Sequence, residues 1–74
     1  MKLKYVIIKN RFDVPIPLFG SIHDYHVDIA RGNRVLGAAY VEFVPGQPAK
    51  VYGSSEGFGT EAKPEDERII NSRI

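Results

Sequence analysis

The sequence predicts an α+β fold, a small β-β-α-β-β-α domain in which four strands form one antiparallel sheet with two short helices. Residues 2–9 alternate with the period of a strand, and residues 34–44 and 50–60 read as a long strand and a glycine-rich return strand joined by a turn. The stretch "SIHDYHVDIARG", residues 21–32, instead has the period of a helix with both ends marked. "KPEDERIINSRI" at the end of the chain repeats that pattern behind a proline.

The first strand, "KLKYVIIK" at residues 2–9, sets Leu3, Tyr5 and Ile7 against Lys2, Lys4, Val6 and Ile8, and is rich in β-branched and aromatic types. The turn-prone "NRFD" leads to "VPIPLFG", where Val14, Ile16 and Leu18 share one face and Pro15 and Pro17 the other. The N–H groups of residues i and i+2 point the same way in a strand, so both donors that proline lacks fall on one side. That predicts an edge strand that cannot be extended on its proline side.

In the next segment Ser21 reads as an N-cap, Asp24 completes a capping box, Arg31 lies in the last turn and Gly32 supplies a left-handed stop. At about 100° per residue, Ile22, Tyr25, His26 and Ile29 fall on one stripe, with Asp24, Asp28 and Arg31 opposite. "RVLGAAYVEFV", residues 34–44, reads as a long strand, "PGQPA" as a turn, and "KVYGSSEGFGT", residues 50–60, as a glycine-rich return strand. Pro64 takes a first helical position, Glu65, Asp66 and Glu67 suit the helix start, and Ile69, Ile70 and Ile74 form the apolar side.

A chain of 74 residues is one domain with a thin core. Below roughly 80 residues a single core rarely supplies more than about 3 to 5 kcal/mol, so disulfides, metals or a second copy are common supports. The absence of cysteine excludes disulfides and thiolate zinc sites and leaves oligomerisation, a homodimer above all, or unusually good packing. Ten basic against nine acidic residues, with no long run of one sign, disfavour nucleic acid as a partner. The apolar run in "MKLKYVIIKN" is far below the length of a membrane span or secretory segment, so the chain is expected to start at Met1 and to reside in the cytoplasm.

His23 and His26 lie three apart on the expected helix, close enough around its axis to reach one ion. Asp28 points away from His23, so a third ligand must come from elsewhere, and the alternative is a pair of structural histidines at the edge of the docked stripe. "GSSEGFG", residues 53–59, suits anions through Ser54, Ser55 and Gly57, although no Lys-Ser/Thr pair follows as it would in a Walker loop. Its alternative role is a smooth face, with Gly37 and Ala39, that lets a helix approach closely. On the opposite face Leu36, Tyr40 and Val44 would lie beside Tyr52 and Phe58, an aromatic patch suited to an interface unless the helices divide between the two faces. No GxSxG, HExxH or paired carboxylate is present, so catalysis is not expected, nor is a resident cofactor.

"KYVIIKN", "VPIPLFG", "HVDIARGNRVLGAAYV", "VYGSSEGFG" and "KPEDERII", in this order, resemble a type of short bacteriophage and prophage protein that carries no assigned activity. The resemblance implies a compact protein that works by occupying a surface, blocking a host enzyme or defence complex, or by sequestering a small signal molecule. Two functions follow as expectations. One is an interaction module, self-associating or bound to a host protein through Leu36, Tyr40, Tyr52 and Phe58. The other is an oligomer that binds a small anionic or nucleotide-like ligand through Ser54, Ser55, Gly57 and His23 or His26. A metal-dependent activity through the two histidines is a remote third.

Overall fold

The computed structural model describes residues 1–73, so Ile74, expected on the apolar side of the second helix, lies outside the described residues. Strand β1 (Lys2–Lys9) pairs antiparallel with β2 (Pro15–Gly20) on one side and β3 (Val35–Glu42) on the other. A short β4 (Lys50–Tyr52) pairs with β3, giving the order β2-β1-β3-β4. The four-stranded antiparallel sheet with two short helices is the fold that the alternation and the caps predict. Strand β2 sits at an edge, as Pro15 and Pro17 require, and the Pro15 carbonyl accepts a bond from the Arg73 guanidinium at 3.1 Å.

The helices divide between the faces. Helix α1 (His26–Ala30) packs Ile29 and Ala30 over Val6, Ile8 and Ala38, with Ile16, Leu18 and Phe58 around them. Helix α2 (Pro64–Asn71) packs Ile70 over Tyr5, Ile7, Ala39, Val41 and Ala49. This explains why β1 buries Tyr5 to Ile8 without a break, where a one-sided sheet would alternate. The close approach expected of the glycine face occurs at Gly37, where a Cβ would stand 2.7 Å from the Asp66 carboxylate.

Three expectations are corrected. The first helix spans His26–Ala30 and not residues 21–32. Only half of the capping box forms: the Ser21 N–H donates to the Asp24 carboxylate at 2.9 Å, whereas Ser21 Oγ accepts from the His23 N–H at 3.1 Å and the Asp24 N–H bonds the Ser21 carbonyl at 2.9 Å. They close a single turn, because short polar side chains can satisfy a turn's donors without a helix continuing from it. Tyr25 is then extended, at φ −86° and ψ 141°, and α1 starts afresh. Ile22 (46 % exposed) and Tyr25 (72 % exposed) consequently leave the docked stripe, which keeps His26 and Ile29. The left-handed stop falls on Arg31 and Gly32 together, at φ 52° and 75°.

The return strand stops at Tyr52 and does not run on to residue 60, because Gly53, at φ 72°, turns the chain away. Ser54–Ser55 (β5) and Thr60–Glu61 (β6) pair as a separate two-stranded hairpin. The vacated ladder position is filled by a side chain: Thr60 Oγ1 accepts from the Ala38 N–H at 3.2 Å and donates to the Ala38 carbonyl at 2.8 Å.

The third correction is a bulge. Ile7 faces Gly37 and Ile8 faces Val35, so Leu36 is an extra residue in β3. One extra residue inverts the alternation, so Leu36 packs on the α2 face, away from Tyr40, and Val35 on the α1 face.

Helix α2 also closes the outer edge of β4. The Val51 N–H donates to Glu67 Oε1 at 2.9 Å, and the Ala49 N–H to Asn71 Oδ1 at 2.8 Å, while Asn71 Nδ2 returns a bond to the Ala49 carbonyl at 3.1 Å. Four helical residues rise about 6 Å and two strand residues about 6.6 Å, so side chains at i and i+4 match alternate strand donors. Asp66, in the acidic first turn expected of the helix start, is 2 % exposed and accepts a 2.6 Å bond from the Tyr5 hydroxyl, with Lys63 Nζ at 3.9 Å. Burial, then the Asp66 hydrogen bond and charge, raise the Tyr5 hydroxyl well above its ordinary range.

Candidate functional site

Helix α1 shields β1 and β2, and between it and the glycine-rich hairpin lies a cleft of about 550 Å³. Strand β1 contributes Lys4, the start of α1 contributes Tyr25, His26 and Val27, β3 contributes Tyr40, and residues 53–57 form the far wall.

Lys4 shares its face with Val6 and Ile8 and therefore points to the α1 side. Its ammonium donates to the Asp24 carbonyl at 2.6 Å and lies 6.0 Å from the Tyr25 ring centroid and 5.7 Å from that of Tyr40. The single turn at Ser21 to Asp24 thus anchors the lysine that sits between two aromatic faces, an arrangement favourable to a cation.

Tyr40 stands opposite Tyr52 in the β3–β4 ladder, and their rings stack at 5.6 Å with 25° between planes. His26 meets Tyr40 edge-on at 5.8 Å. Gly53 gives the Tyr40 ring its room, since a Cβ there would lie 3.0 Å from Tyr40 Cδ2. His26 Nε2 is 2.8 Å from the Ala39 carbonyl oxygen, and as a carbonyl only accepts, Nε2 carries the proton.

Ser55 is the unusual residue of the far wall. It is 2 % exposed, and among the described residues its Oγ has no hydrogen-bond partner. Leaving a buried hydroxyl unpaired costs about 1–3 kcal/mol, a large amount for a domain of this size. Beside it Ser54 and Glu56 are exposed, so the cleft combines one lysine, one carboxylate, two serine hydroxyls, two tyrosines and an imidazole.

The structure therefore brings together Tyr40, His26, Ser54, Ser55 and Gly57, with Tyr52 joined through its stack on Tyr40. It separates the others. Leu36 lies on the opposite face, Phe58 is half-buried against the α1-side core, and His23 is exposed on the preceding turn. His23 is exposed on the turn before α1 whereas His26 is buried at its start, and among the described residues no three His, Cys, Asp or Glu side chains converge to hold a metal ion. Sequence reasoning missed Lys4, Tyr25 and Glu56 as site residues. The parity of β1 carries the sign for Lys4, a charge on the same face as Val6 and Ile8, whereas Tyr25 was hidden by the expected longer helix.

Among the described residues no helix is long and apolar enough to cross a membrane. Compared with known proteins, the chain matches no family model, no curated protein and no solved structure.

Proposed function

We propose that this chain is a non-enzymatic binding protein whose cleft between α1 and the glycine-rich hairpin takes a small anionic ligand. The observation that carries the reading is the buried, unpartnered Ser55 hydroxyl in a wall that faces a cleft also lined by Lys4. A native fold rarely leaves such a group unpaired, and a turn of the Ser55 side chain toward the cleft lets a ligand atom supply the missing bond. Lys4 spends one of its three N–H donors on the Asp24 carbonyl, which leaves donors for an anion. Binding is favoured over catalysis because Ser55 Oγ has no base within hydrogen-bond reach and the protonated nitrogen of His26 is held by Ala39.

Thermal unfolding of the full chain against a panel of phosphate, sulfate, carboxylates and nucleotides tests the reading. A ligand at 100 times its Kd adds about 2.7 kcal/mol, which for a chain this short raises Tm by about 10–20 °C. Lys4→Met is expected to remove the rise. A panel in which no anion moves Tm counts against the proposal.

A protein partner is the second reading, favoured by the rim: Tyr25, Val27 and Ile22 are exposed, and Tyr52 is 40 % exposed on its stack. In that reading the chain blocks a partner protein or pairs with itself, as the likeness to phage proteins implies. Pro15 and Pro17 blunt one sheet edge and Glu67 and Asn71 the other, so such an interface uses side chains rather than strand addition. Light scattering coupled to gel filtration tests self-association, and a monomer mass across the micromolar range, unchanged in Tyr52→Glu, removes it.

A further inference from the structure

Resting on the cleft being a ligand site, we infer that its ligand is a nucleotide, bound with the phosphate on Lys4 and the planar base against Tyr25. The lining carries opposed charges, Lys4 and Glu56. A simple multivalent anion would meet the Glu56 carboxylate with like charge. A molecule that is negative at one end and bears N–H donors on a planar ring at the other answers both groups.

The Tyr25 ring is 72 % exposed on the lip of the cleft, fixed at the N-terminal boundary of α1, with the Lys4 ammonium 6.0 Å from its centroid. An exposed aromatic face beside a cation is the pairing that stacks a base and holds its phosphate. Ser55 Oγ, buried and unpartnered in the wall, is a donor for a sugar or phosphate oxygen once its side chain turns toward the cleft. A cleft of about 550 Å³ falls within the range of small-molecule sites, roughly 300–1,000 Å³.

Calorimetric titration of the full chain with AMP, GMP, CMP and UMP, with inorganic phosphate, and with the four nucleosides tests this. Tyr25→Ala and Glu56→Gln lie at exposed positions and leave the core intact. At least one nucleotide is expected to bind about tenfold more tightly than phosphate, and Tyr25→Ala to weaken it by about tenfold. If phosphate binds as tightly as every nucleotide and Tyr25→Ala changes nothing, the inference is overturned while the anion site stands. If nucleosides match nucleotides and Lys4→Met is without effect, the phosphate placement is overturned. If no nucleotide, phosphate or other small anion binds, the inference and the reading beneath it both fall.

Discussion

Replacing Ser55 by alanine removes one oxygen from a site that is 2 % exposed and offers it no partner among the described residues. The Cβ stays, so packing changes little, while the penalty of an unpaired buried hydroxyl, about 1–3 kcal/mol, is relieved. Allowing for the small void left behind, the free protein is expected to gain about 1 kcal/mol, or roughly 4–8 °C in Tm for a domain of 60–100 residues. Thermal melts followed by far-ultraviolet circular dichroism read this, and urea titration should show a raised midpoint with the slope unchanged. The same substitution should weaken the ligand by the value of one hydrogen bond, about two- to tenfold. Stability and binding would move in opposite directions, as they do where a polar group is retained for function. A fall in Tm of similar size would show that the hydroxyl makes a stabilising bond in the free protein, and the reason for placing a ligand beside it would be lost.

Tyr5→Phe should destabilise by about 1.5–3 kcal/mol, because it leaves the buried Asp66 carboxylate with Lys63 at 3.9 Å as its remaining charged neighbour; urea unfolding measures this. The raised Tyr5 hydroxyl also sets an alkaline limit. Its contribution is complete below about pH 10, where an unfolded tyrosine ionises, and is lost above it as the unfolded chain releases a proton that the fold retains. Melts from pH 8 to 12 should therefore fall more steeply in the native chain than in Tyr5→Phe. Gly37→Ala sets a methyl 2.7 Å from the Asp66 carboxylate and should cost about 1–3 kcal/mol in the same melts, by lifting α2 from the sheet. Asn71→Ala frees the N–H and C=O of Ala49 at the β4 edge, so light scattering should show concentration-dependent association absent from the native chain.

The strands and the second helix were legible because each rests on a local rule with few competitors. Alternation bounded β1, two prolines placed β2 at an edge, and Pro64 with three acidic residues started α2. The misreadings came from tertiary substitutions for local structure. Ser21 and Asp24 make one of the two bonds of a capping box yet close a turn, since the same side chains serve either outcome. Thr60 replaces a strand partner of Ala38, so the return strand could leave the sheet at Gly53 without leaving those groups unpaired. The bulge at Leu36 moved one residue of the expected aromatic patch to the far face, which periodicity alone does not reveal. Asp66 was readable in part: it lies four residues before Ile70, on the helix stripe that must face the core. The cleft itself was half legible, through Ser54, Ser55, Gly57, His26 and Tyr40. Lys4 and Glu56 join it only once the chain is folded.

An amide chemical-shift titration of the ¹⁵N-labelled full chain with a nucleoside monophosphate is the most direct test that the cleft between α1 and the glycine-rich hairpin is the binding site. Saturable shifts centred on Lys4, Tyr25 to Val27, Tyr40 and residues 53–57 are the expected result. Saturable shifts centred instead on the opposite face, around Leu36, Lys63 and Ile69, would contradict it.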